Sequence, residues 1–98
     1  MHNPNTQDEK ICVLIVDDEE VNLGIMEEHL EWAGYLPIAA RSGPEALEIF
    51  RANADRIDII LLDRMMPEMD GFEVLKMIKS DERYQHIPVI MQTAVASS

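Results

Sequence analysis

"KICVLIVDD", residues 10–18, decides the fold. Ile11 to Val16 are apolar without alternation and rich in the β-branched types that favour strands. A strand with no polar side is one covered on both faces, as in a parallel sheet between layers of helices. Two aspartates, Asp17 and Asp18, then end the run.

Working outward, residues 20–33 place Val21, Ile25, Met26, Leu30 and Ala33 at helical spacing, with Gly34 as the stop. "YLPIAA" (35–40) is a second, weaker strand, and Pro37 assigns it to an edge. In "SGPEALEIFRAN" (42–53), Ser42 and Glu45 have capping-box spacing and Pro44 lies in the first turn. Leu47, Phe50 and Ala54 then form an inward stripe. "IDIILLD" (57–63) is a third strand. A third helix follows, with Asp70 and Glu73 at capping-box spacing and Phe72, Leu75 and Ile78 as its apolar face. "DERYQH" (81–86) is a loop and "IPVIMQT" (87–93) a fourth strand.

The order βαβαβαβ calls for a parallel sheet with helices on both faces and right-handed crossovers. Chemistry in such sheets gathers beyond the carboxyl ends of the strands. Asp17 and Asp18 end the first strand, Asp63 the third and Thr93 the fourth.

Composition narrows the function. Ninety-eight residues, 47% of them hydrophobic, suit one small domain of marginal stability. No apolar run is long enough to span a membrane. Residues 1–9 are polar, lack the features of a signal peptide, and are expected to form a disordered tail. The single cysteine, Cys12, excludes an internal disulfide framework and a cysteine-rich zinc site, and a cytoplasmic location is expected. A net charge of −11 argues against direct nucleic-acid contact and favours cations and basic partner surfaces.

Three carboxylates at one sheet edge repel one another by about 1 kcal/mol or more per contact. A hard divalent cation resolves that conflict, and so few protein oxygens suit Mg2+, which keeps several waters. The alternative for Asp17 and Asp18 is that strand-end acids cap the following helix; counting Asp63 with them weighs against it. A carboxylate beside Mg2+ can attack phosphorus to give an acyl phosphate. Thr93 could hydrogen-bond a phosphoryl oxygen, and Ala94 is small enough to leave room for the group.

These residues carry a resemblance. In "VLIVDDEE" (13–20), "LLDRMMPEMDG" (61–71) and "VIMQTA" (89–94), the chain resembles the receiver domain of two-component response regulators, over residues 10–98. The resemblance implies a flavodoxin-like doubly wound parallel sheet. It implies that Asp63 accepts a phosphoryl group from a sensor histidine kinase or phosphotransfer protein. Asp18 and Asp63 would ligate Mg2+ directly, Asp17 through water, and Met65 by its backbone carbonyl. Thr93 would be the switch hydroxyl. Pro67 and Gly71 would shape the loop after the acceptor. Apolar Met65 and Val95, flanking the path of attacking water, imply slow self-hydrolysis.

Receivers have a fifth strand and helix, and only five residues follow Thr93. Roughly 20–25 residues of that pattern have no counterpart here, among them the family's lysine and aromatic switch residue. Lys76 and Lys79 belong to the third helix and cannot substitute by position. The expectation is therefore a sheet of order 2-1-3-4, truncated before the fifth strand and helix. Its fourth strand would form an edge prone to dimerisation or strand exchange. Two other readings stand beside the phosphorylation switch. One is a receiver-shaped binding or dimerisation module. The other is an aspartyl-phosphate phosphatase or phosphotransferase, disfavoured because Met65 occupies the place of its second acid. Arg64 is either a solvated loop residue or part of a partner surface, and His29 and His86 have no second ligand nearby.

Overall fold

Strand and helix alternate through the whole of the described chain. The computed structural model describes residues 10–63 and 71–92. The elements are β1 (Cys12–Val16), α1 (Glu20–Trp32), β2 (Leu36–Ala40), α2 (Gly43–Asn53), β3 (Ile59–Asp63), α3 (Gly71–Lys79) and β4 (Val89–Gln92). All pairings are parallel and the sheet order is β2-β1-β3-β4, as the sequence implied. The ladder places Val16 beside both Ala40 and Leu62, and Asp63 beside Gln92. Pro37 does lie on an edge strand. The regular strands are shorter than the apolar runs: Ile57 and Ile87 precede β3 and β4 as buried anchors.

Local chemistry explains the helix ends. The Ser42 hydroxyl accepts the Glu45 N–H at 3.1 Å, the expected cap of α2. The Glu45 carboxylate returns to the N–H of Arg41, one residue before the cap, at 2.6 Å. Gly34 adopts φ 96°, the left-handed conformation that ends α1.

Alternation along the strands divides the core. Leu14, Val16, Ile60 and Leu62 face α2 and α3, where they pack with Ala46, Phe50, Val74 and Ile78. Val13 and Ile15 face α1 and pack with Leu23. Cys12 belongs to the first cluster; burial pushes its thiol pKa up, Arg56 opposes this and Asp58 adds to it. The Asp58 carboxylate also accepts the Cys12 N–H at 2.8 Å.

Two helix faces differ from the sequence expectation. Val21 and Ile25 of α1 are 72% and 47% exposed, and the inward residues are Leu23, Met26 and Leu30. Helix α1 carries apolar residues on two sides, and only the sheet selects between them. In α3, Val74 and Ile78 are buried and Leu75 packs against them, whereas Phe72 is 49% exposed. The expected stripe Leu47, Phe50 and Ala54 of α2 is buried. The tail at 1–9 and the Asp70 cap lie outside the described residues.

Candidate functional site

The carboxyl ends of β1 and β3 are neighbours because those strands pair directly. Asp17 continues the row of Val13 and Ile15, and its N–H extends the ladder to the Ala40 carbonyl at 3.1 Å. Asp63 continues the row of Ile59 and Leu61. By strand alternation both aspartates therefore belong to the α1 side of the sheet. Asp18 follows in the turn that enters α1.

The structure brings these three acids together. One carboxylate oxygen from each of Asp17, Asp18 and Asp63 lies within 4.8 Å of the others. Asp17 is 7% exposed, the only buried charged residue among those described; Asp63 is half-buried and Asp18 exposed. One oxygen of Asp17, Oδ1, accepts the Glu19 N–H at 2.9 Å. That bond fixes the carboxylate against the start of α1. It is an Asx-turn bond, close to the helix-capping role the sequence left open for Asp17.

Neither Asp17 nor Asp18 forms an ion pair among the described residues; the ion pairs Arg41–Glu20 and Arg83–Asp81 lie elsewhere. Like charges at this spacing repel by about 1–4 kcal/mol per pair, depending on the local dielectric. An all-oxygen donor set of graded exposure fits a hard cation that keeps part of its water shell, and Mg2+ is such an ion. The remaining predicted site residues, Met65, Thr93 and Ala94, lie outside the described residues, as do Arg64, Pro67 and Val95.

A family model for the response regulator receiver domain matches residues 13–98. The chain belongs to the response regulator receiver family. This receiver is 45% identical over 84 residues to the polar-differentiation response regulator DivK of Brucella ovis, a match covering 86% of the chain and 67% of that protein. The chemotaxis protein CheY4 of Vibrio cholerae shares its fold with a TM-score of 0.82 and 34% identity, over 90% of this receiver and 72% of that chain. The response regulator protein TrrA of Thermotoga maritima, solved in complex with Mg2+-BeF, gives a TM-score of 0.79 and 31% identity, over 88% and 71% of the two chains. The receiver thus presents its acid cluster at the edge where open α/β sheets carry their chemistry. No helix among its described residues is long and apolar enough to cross a membrane.

Proposed function

We propose that this receiver is the phosphoacceptor of a two-component phosphorelay and that Asp63 takes the phosphoryl group. The observation that carries this reading is the convergence of Asp17, Asp18 and Asp63 within 4.8 Å at the carboxyl ends of paired strands. The donor is a phosphohistidine on a sensor histidine kinase or phosphotransfer protein. Its P–N bond breaks as a bond forms between phosphorus and an Asp63 oxygen. The imidazole leaves with the bonding pair and takes up a proton.

In this reading Asp18, Asp63 and the Met65 carbonyl would hold Mg2+ directly, and Asp17 would hold it through water. When bound, the ion would supply neutralisation of the charge on the phosphoryl oxygens. The Thr93 hydroxyl hydrogen-bonds a phosphoryl oxygen and acts as the switch, and Ala94 leaves space for the group. Apolar Met65 and Val95 keep attacking water away, so the acyl phosphate decays slowly. The Thermotoga receiver solved with Mg2+-BeF supports the same metal here. Receiver domains are signalling switches, and self-phosphorylation is all the catalysis this reading assigns. It operates in the cytoplasm, with residues 10–98 as the receiver unit.

The test is intact-mass measurement after incubation with Mg2+ and acetyl phosphate. One phosphoryl adduct on the wild-type chain, absent from Asp63→Asn, is expected. No adduct, or one that survives Asp63→Asn, overturns the reading.

A second reading, a binding or dimerisation module without effective phosphorylation, is favoured by one observation. Among the described residues strand β4 ends the order β2-β1-β3-β4, and Ile90 on it is 49% exposed. The partner there is a second copy, paired or strand-exchanged along β4. A sedimentation dimer that Ile90→Lys dissociates favours this reading, and a monomer removes it.

A further inference from the structure

Lys79 is the last residue of α3, and its ammonium is turned back onto the chain. Its Nζ donates to the Gln85 carbonyl at 2.7 Å and to the Ile87 carbonyl at 2.6 Å. Both are charge-assisted bonds, stronger than their neutral counterparts. Both acceptors belong to the segment that leads into β4. That segment is also held by backbone bonds such as Tyr84 N–H to Asp81 at 2.9 Å and Ile87 N–H to Tyr84 at 3.1 Å, and by the Tyr84 ring against Phe50, 4.9 Å between centroids.

The contact has a consequence at the other end of the strand. Ile87 is a buried core residue, and the Ile60 N–H donates to the Pro88 carbonyl at 3.0 Å as the β3–β4 ladder opens. The ladder then runs without interruption from Ile60 beside Val89 to Asp63 beside Gln92. With only four residues in β4, the place where the strand begins sets the place where it ends. A slip of one residue would turn every side chain to the other face.

We propose that Lys79 is a positioning residue for phosphoryl acceptance. By tying the end of α3 to the carbonyls before β4, it holds the carboxyl end of that strand against Asp63. This rests on Asp63 being the acceptor. Asp17 and Asp18 follow β1, which does not pair with β4, so the tie acts on transfer more than on cation binding.

The test compares Lys79→Met, which keeps the apolar stem, Lys79→Gln, which keeps one donor group, and Lys79→Arg, which restores the charge. Three quantities are read on the folded chain: the initial rate of phosphorylation by acetyl phosphate, Mg2+ affinity, and hydrogen exchange of the Val89–Gln92 amides. Lys79→Met is expected to slow phosphorylation about fivefold to tenfold and to speed β4 exchange at least about tenfold. Mg2+ affinity and exchange in β1 stay as in wild type. Lys79→Gln falls between, and Lys79→Arg recovers most of the rate. Unchanged β4 exchange overturns the proposal, as does a phosphorylation rate that falls only in step with Mg2+ affinity or with the folded fraction. If the wild-type chain takes up no phosphoryl group, the acceptor reading fails. Exchange in β4 then still tests the tie itself.

Discussion

On the α2–α3 side of the sheet, Leu14, Ile60, Leu62 and Val74 are all 0% exposed, whereas on the α1 side Ile59 and Leu61 are half-buried and Ile90 is 49% exposed. The two sides have different roofs. Helices α2 and α3 pack on each other over the first side. On the second side α1 rests mainly on β2 and β1. Over β1 and β3 it leaves a groove of about 540 Å³, bordered by Ile11, Leu30, Tyr35 and Ile59. Asp17 and Asp63 belong to this thinner side by strand alternation. The α2–α3 side therefore holds the larger buried cluster, and the acids lie on the other.

The comparison breaks most readily in the strand that serves both sides. Ile60→Ala should lower stability by about 2–4 kcal/mol in urea melts, because it opens a cavity in a closed core. Ile59→Ala, one residue away, should cost about 1–2 kcal/mol, because that side chain is only partly buried. Equal losses would mean that the two sides are packed alike.

Two glycines of the α1 segment sharpen the picture with opposite signs. Gly34 holds φ 96°, so Gly34→Ala should destabilise by about 1 kcal/mol. Gly24 lies within α1, and a Cβ built there meets nothing within 4 Å. Gly24→Ala should therefore stabilise by about 0.5–1 kcal/mol. Thermal melts of both variants check the signs, and a loss at Gly24 would show a close approach that the open side does not have.

The smallest effect concerns Cys12, on the closed side. Burial raises its folded pKa above the ordinary value of 9.0. The folded chain therefore holds the thiol proton more tightly than the unfolded chain does. The resulting stability is complete below the ordinary value and is lost as pH rises through the raised one. The stability difference between wild type and Cys12→Ala should be flat at neutral pH and shrink above about pH 9. A difference that grows with pH would place the thiol in a polar setting.

Much of this architecture was legible in residue order. Unbroken apolar runs at β1 and β3 and a proline in β2 suffice for a parallel sheet with β2 at its edge. The strand-end acids could be read as neighbours once β1 and β3 were paired. The inward face of α1 was only partly legible: the spacing rightly includes Met26 and Leu30, but it selects Val21 and Ile25 where Leu23 is the buried residue. Periodicity cannot rank two apolar stripes on one helix; contact with β1 and β2 does. The Asp17 bond to the Glu19 N–H was foreshadowed by the capping alternative, whereas the tie from Lys79 to two carbonyls was hidden. That tie ends on main-chain carbonyls, which every residue possesses.

The central claim is that Asp17, Asp18 and Asp63 are held together at a cost that a cation relieves, and urea stability with and without Mg2+ tests it most directly. In chelator, Asp18→Asn should be more stable than wild type by about 1 kcal/mol, because a like charge is removed. At a hundred times its dissociation constant, Mg2+ should stabilise the wild type by about 2.7 kcal/mol and leave Asp18→Asn nearly unchanged. Were these acids only capping α1, Asp18→Asn would instead be the less stable protein in chelator. That result, with a wild-type midpoint unmoved by millimolar Mg2+, would contradict the account.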